Sequence, residues 1–236
     1  MDFVQVKEEY GSKLLFFAIF TIAGLIASRM NFSQLLGAPN QFFTLFQFFA
    51  PVAGGFLGSA PGAAVILATQ LADFFIGGKQ FTLLNIARLA PLVFAAWYFG
   101  SGKNRLSAIV PLAAIALFIA HPVGRQVWYF PLIFWSIPVA LKLFFPEHLL
   151  SKSLGSTLAA HAVGGVVWIY TLPTTPAFWT GLIPIVAYER TLFATGIASS
   201  YVVLNSVLSR VKVPQFVNVD RKMPLAATGG LLTALD

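Results

Sequence analysis

Phe49-Ala50-Pro51-Val52-Ala53-Gly54-Gly55-Phe56-Leu57-Gly58-Ser59-Ala60-Pro61-Gly62, running on to Gln70-Leu71-Ala72-Asp73-Phe74-Phe75, decides how this chain is read. Two apolar runs, residues 41–57 and 61–77, are broken only by the short stretch from Gly58 to Gly62. Long apolar runs bounded by short polar loops are the pattern of helices that cross a bilayer. Working outward, six further runs follow the same pattern: 14–30, 82–99, 106–121, 127–145, 154–172 and 182–209. The expected fold is all-α, a polytopic transmembrane helical bundle of six to eight membrane segments. One domain is expected over residues 1–212, with 213–236 as a short cytoplasmic extension of little structure. Several runs sit at or below the ~17-residue minimum for a spanning helix. Runs 41–57 and 61–77 can be two full helices, two short ones or a re-entrant pair, the last only if protein or a watery cavity covers it.

Bulk composition points the same way. The 236 residues are 58% hydrophobic and 10% charged, against about 45–50% apolar and about 25% charged in soluble domains. The net charge of +7 does not mark a nucleic-acid protein, because Lys and Arg sit in loops and at segment ends, where they hold membrane topology. No nucleic-acid partner is expected. Cysteine is absent, which excludes disulfides and thiolate metal sites. Three scattered His residues give no metal-ligand spacing, and no H-E-x-x-H, G-x-S-x-G or Walker loop is present. Neither catalysis, a metal nor a cofactor is expected. The first run has no A-x-A cleavage site behind it and is expected to be a retained helix.

Loop charge sets an expected orientation. With Lys7 and Lys13 in the cytoplasm, eight crossings place Lys103, Arg105, Lys142, Lys152, Arg210, Lys212, Arg221 and Lys222 inside as well. Only Arg29, Lys79 and Arg125 remain outside, as the positive-inside rule requires. Both termini are then cytoplasmic and the protein is a multi-pass component of the cell membrane.

An ionisable side chain at membrane depth costs roughly 2.5–3.5 kcal/mol on insertion scales, so each needs a partner or a cavity. Asp73, Arg88, Glu189 and Arg190 fall in the outer parts of their segments, His121 and Arg125 at an outer boundary, and His161 near the middle. This clustering suggests a polar cavity open to the outside and lined from several helices. Asp73, Asn85, Arg88, Arg125, His161, Trp168 and Glu189 are the candidate substrate-binding residues. The alternative is that such residues form buried pairs, for example Arg88 with Glu189, that only fix helix packing. His161, Gly165 and Trp168 share a face at i, i+4, i+7 spacing; the glycine gap could seat a flat ligand, or Gly164 and Gly165 could allow close helix contact.

The stretch from Phe49 to Phe75 resembles the Gly-Pro-x-x-Gly segment, with its following small-residue helix and acidic end, of the substrate-binding (S) component of energy-coupling factor vitamin transporters. Ala23-x-x-x-Ala27 in the first run is similar to the A-x-x-x-A by which that family docks on its coupling subunit. Size, basic cytoplasmic ends and an outward polar pocket fit as well. The chain departs from the family in having eight apolar runs where the family fold has six helices, and Ala50-Pro51 where the family has Gly-Pro. The resemblance implies capture of a scarce small-molecule nutrient from outside, docking through Ala23 and Ala27 on a transmembrane coupling subunit, and energy from an ATPase pair. Two other readings stand beside it: a stand-alone secondary transporter or channel using Asp73 or Glu189 as a cation site, and a non-transporting helical subunit of a larger membrane complex.

The orientation is testable by thiol labelling in a chain that has no native cysteine. Single cysteines at Asn104 and Ser156 are expected to resist an impermeant thiol reagent in intact cells; strong labelling would reverse the topology.

Overall fold

Apolar segments in lipid can satisfy their backbone groups only within themselves or in closed ladders, which favours helices. The computed structural model describes residues 3–34, 42–211 and 213–221. The elements run α1 (Phe3–Ser28), β1 (Asn31–Gln34), β2 (Phe42–Thr44), α2 (Phe46–Phe49), α3 (Val52–Leu57), α4 (Ser59–Ile76), α5 (Leu83–Ala87) and α6 (Ala90–Gly100). A 3-10 turn at Arg105–Ala108 leads into α7 (Ile109–Ala120), α8 (Pro122–Gln126), α9 (Tyr129–Phe144), α10 (Leu149–Thr171) and α11 (Pro176–Ser209). Among the described residues three helical stretches are long and apolar enough to cross a membrane: Ser59–Ile76, Leu83–Gly100 and Pro176–Ser209.

The run 41–57 departs from the simple helix pattern. Phe42, Phe43 and Thr44, aromatic and β-branched residues that suit a strand, form β2, antiparallel to β1, with Asn31 opposite Thr44 and Gln34 opposite Phe42. Helix begins only at Phe46. At the α2–α3 joint the amide of Ala53 donates to the Ala50 carbonyl at 3.2 Å and that of Gly54 to the Pro51 carbonyl at 3.1 Å. These i→i+3 bonds carry the chain past a proline that has no N–H to give. Residues 46–57 rise roughly 18 Å at 1.5 Å each, well short of a ~30 Å hydrocarbon core. The pair is therefore one short helix and one of spanning length, with Gly58 at φ 85° making the turn between them.

Glycine lets α3, α4 and α6 meet backbone to backbone. A Cβ on Gly62 would lie 2.6 Å from the Gly54 nitrogen. One on Gly100 would run into the Gly54 carbonyl, and one on Gly54 into the Ala96 carbonyl. The apolar interior forms two clusters. One joins α1 to α4, α6 and the later part of α11 around Phe56, Ile66, Phe99 and Ile197; the other joins α7, α9 and the early part of α11 around Phe118, Phe130, Trp135 and Trp179. Helix α10 contributes to both, Ala160 to the first and Leu158, Ala162 and Ile169 to the second. On the outside, Leu15, Ile19, Ile22 and Ile26 form an exposed apolar stripe along α1.

Two polar features at the other end of the bundle were not legible as such. Lys142, read as a loop cation, is 1% exposed. Its ammonium donates to the Tyr98 carbonyl at 3.2 Å, the Ser101 hydroxyl at 2.9 Å and the Gly102 carbonyl at 3.1 Å. A cation placed on the free carbonyls at a helix C-terminus satisfies them and complements the helix dipole. The tail is the second. Residues 213–221 are held against the bundle, contrary to the expectation of a loose extension beginning at 213. Asn218 donates its amide to the Phe56 carbonyl at 2.7 Å. The fully buried Asn205 side chain grips Asp220 with two bonds, giving to its carbonyl at 2.7 Å and accepting from its amide at 2.8 Å. Phe216 sets its ring edge-on to those of Phe16 and Phe17. Residues 222–236 lie outside the described residues.

Ser156 is fully buried, so protection of a cysteine there would report burial and not sidedness. Asn104 and Gln80 are both exposed and lie at opposite ends of the bundle; labelling at Gln80 with protection at Asn104 is the informative outcome. The glycine contact makes a second prediction. Gly100→Ala is expected to lower thermal stability by roughly 1–3 kcal/mol through overpacking. Gly181→Ala, where a Cβ meets nothing within 4 Å, is expected to leave stability unchanged or raise it by up to ~1 kcal/mol. Equal melting temperatures would remove the contact from the account of the fold.

Candidate ligand-binding cavity

At one end of the bundle the C-terminus of α1, the β-hairpin, the last turns of α4, α5, the second half of α10 and the first half of α11 enclose a cavity of about 340 Å³. Its apolar wall is aromatic: Phe43, Phe46, Phe74, Trp168, Phe178 and Trp179 all line it. Its volume falls at the lower end of the ~300–1,000 Å³ typical of small-molecule sites, which combine apolar walls with a few placed polar groups.

The carboxylates are already engaged. Asp73, on the last turn of α4, accepts from Arg29 at 3.0 Å, Lys79 at 2.6 Å and the Ser28 hydroxyl at 3.3 Å. This knot ties the end of α1 to α4 and the loop after it; both of its cations are about half exposed. Glu189, on α11, holds Arg190 at 3.0 Å. The Arg190 guanidinium is buried, donates to the Thr157 hydroxyl at 3.3 Å and lies over the Phe193 ring at 4.3 Å from its centroid and the Phe43 ring at 5.3 Å. Paired, hydrogen-bonded and stacked, it is a cation the interior can tolerate.

Three other polar side chains that line the cavity keep groups that no described residue uses. Arg88 lines it, and its guanidinium makes no hydrogen bond or ion pair with any described residue. The Trp135 indole N–H donates to His161 Nδ1 at 3.0 Å. Because an indole N–H can only donate, Nδ1 is the acceptor and the hydrogen of the neutral ring sits on Nε2, which has no partner among the described residues. Asn85 uses its side-chain N–H on the Gln80 carbonyl at 2.9 Å, and its amide oxygen has no partner among the described residues. Gln70 closes the break between α5 and α6, donating to the Leu89 carbonyl at 2.8 Å.

Six of the seven residues singled out from sequence, Asp73, Asn85, Arg88, His161, Trp168 and Glu189, line this one cavity. Arg125 does not. Gly124 packs against the Phe118 carbonyl and folds α8 back on α7, leaving Arg125 exposed. The suggested Arg88–Glu189 pair does not form, since Glu189 is taken by its neighbour Arg190. The glycine slot between His161 and Trp168 is not open either: Trp135 fills it, and a Cβ on Gly165 would lie 2.5 Å from the indole ring. That is the helix-contact reading, and it also places Trp135 on His161. Phe43 and Gln47 line the cavity but were hidden inside a run read as helix. Of the pair Ala23 and Ala27, Ala27 packs on the protein's own core and Ala23 is half-buried. The residue that α1 needs small is Gly24, whose Cβ would lie 2.9 Å from Phe46 and from Thr69. Among the described residues no group of His, Asp and Glu is arranged to hold a metal ion.

No protein-family model matches the chain, and no solved structure matches it. An uncharacterized protein of the archaeon Methanocaldococcus jannaschii is 25% identical over 195 residues, which cover 75% of this chain. The match spans 65% of that relative's length.

Arg88 and Glu189 are expected to respond differently to truncation. Glu189→Ala strands a buried guanidinium and should cost about 3–5 kcal/mol of stability. Arg88→Ala removes a cation that no described residue uses and should leave the melting temperature within the range of Lys103→Ala, an exposed control. A large loss of stability in Arg88→Ala would return Arg88 to a packing role.

Proposed function

We propose that this chain is the membrane-embedded substrate-binding subunit of a small-molecule importer. It lies in the cell membrane as a multi-pass bundle, captures its ligand in the aromatic cavity, and relies on a separate transmembrane coupling subunit and ATPase pair. One observation carries the reading: polar residues from α4, α5, α10 and α11, far apart in sequence, converge on one cavity, and Arg88, Asn85 and His161 among them keep groups that no described residue uses. A bundle that only scaffolds a complex would pair those groups and fill the space. The cavity lies at the end that carries Arg29 and Lys79, the outer end if the charge rule holds. The resemblance of the 49–75 stretch to S components supplies the coupling part of the proposal. The reading as a cation-driven carrier is weaker, because Asp73 and Glu189 are both occupied by basic side chains and leave no free carboxylate for an ion or proton.

The test is purification in mild detergent with native mass spectrometry for bound small molecules and subunits, followed by uptake in vesicles. A retained small molecule and ATP-dependent uptake only with partners present are expected. Uptake by the isolated chain in liposomes would overturn the proposal in favour of a stand-alone carrier. Ala23→Trp separates docking from packing. Ala23 borders the exposed stripe of Ile19, Ile22 and Ile26, so folding and ligand binding should persist while partner-dependent uptake is lost. Loss of folding and binding together would assign Ala23 to the bundle's own interior.

A further inference from the structure

Taking the capture reading as its basis, the geometry points to the chemical class of the ligand: a small aromatic monocarboxylate, its carboxylate on Arg88 and a hydrogen-bond acceptor on its ring system facing His161 Nε2–H.

Charge accounting leads to the carboxylate. Glu189 and Arg190 cancel within the wall. Asp73 is held at the rim by Arg29 and Lys79, both half exposed to solvent. Arg88 is then the cavity cation left without a counter-charge among the described residues. A guanidinium in an aromatic cavity at membrane depth is costly unless an anion or water answers it, and its planar fork matches a carboxylate with two parallel bonds. The charged residues that line the cavity, Lys79, Arg88 and Arg190 against Asp73 and Glu189, leave one excess positive charge, which suits a single negative charge.

The walls lead to the aromatic body. Trp168, Phe178, Trp179, Phe43, Phe46 and Phe74 come from different elements and surround the same space. Ring systems favour offset-stacked and edge-to-face contact with such walls, and about 340 Å³ has room for one or two rings with a short acid arm. His161 adds direction. Trp135 fixes its Nδ1 as acceptor, so the face it offers the cavity is a donor, which reads a carbonyl or a ring nitrogen. Asn85, on α5 and three residues before Arg88 at its C-cap, offers an acceptor through an amide oxygen that no described residue uses.

The experiment uses the full chain in detergent. Melting temperature and tryptophan fluorescence are followed with three matched sets of probes: benzoate, naphthoate and quinolinecarboxylate, the last with a ring nitrogen that accepts; their uncharged carboxamides; and the corresponding arylmethylamines. The carboxylates are expected to raise the melting temperature and quench tryptophan emission, with the carboxamides at least roughly tenfold weaker, the size of one charge-assisted hydrogen bond. Arg88→Gln is expected to abolish the difference between acid and amide. Arg88→Lys, which keeps the charge and loses the fork, should fall between. If the variants do not fold, the comparison of acid with amide on the unaltered chain decides. Equal response to acid and amide, or a stronger response to the amines, overturns the carboxylate assignment and leaves the capture reading standing. No response to any of the three sets, with no small molecule retained on purification, removes both.

Discussion

The bundle depends on a place where side chains are absent. Gly54, Gly62 and Gly100 let the backbones of α3, α4 and α6 touch, and no larger residue fits at any of the three. In lipid there is little hydrophobic drive between helices, so close van der Waals contact over small residues supplies the association energy. From that contact the helices run toward the cavity. Gln70 lies roughly 12 Å along α4 from Gly62, and Arg88 roughly 18 Å back along the α5–α6 stretch from Gly100, at 1.5 Å per residue. Fixing one end of this trio sets where Gln70, Asp73, Asn85 and Arg88 stand at the other. Gln70 then spans the gap to the Leu89 carbonyl and supplies a partner for backbone where α5 gives way to α6.

Most buried polar side chains among the described residues follow one economy. Lys142 is buried on three acceptors, Asn205 on the backbone of Asp220, Arg190 on Glu189, Thr157 and two rings. Each is a strong donor removed from water and given protein partners, as burial requires, although the Arg190 Nε and the Ser153 and Ser206 hydroxyls are buried without a hydrogen-bond partner. Arg88 and His161 Nε2 break the pattern, and they break it at the same cavity. Groups left unspent within a well-satisfied interior are what a site for a polar ligand needs, because the ligand completes them.

Much of this site was legible before any coordinates. The rule that an ionisable residue at membrane depth needs a partner or a cavity singles out Asp73, Arg88, His161 and Glu189, and helical spacing adds Asn85 and Trp168; all six line the cavity. Arg125 was drawn in by the same rule and does not belong, since it lies on α8, a short helix turned back over α7, and is solvated there. The role of each residue was less legible than its place. Asp73 and Glu189 read as candidate ligand or ion sites, yet both are closed by neighbouring cations. Arg190, adjacent to Glu189 in sequence, was the partner in place of Arg88, a choice that depends on side-chain direction and not on spacing.

By itself the sequence determined the mostly helical character, the positions of most helical runs, the cluster of ionisable residues toward one end and the lack of catalytic or metal-binding motifs. These follow from local properties: hydropathy over a window, period along a helix, and the cost of a charge in an apolar segment. Tertiary structure alone decided that Phe42–Thr44 would leave a helical run to pair with Asn31–Gln34, and that residues 213–221 would be drawn onto the bundle. It also decided that Trp135 would fill the gap at Gly165, and that Arg88 would be the cation left over. Each of these is a competition among partners distant in the chain, settled by which side chains reach one another first and at what angle. No local property of the sequence decides between the competitors.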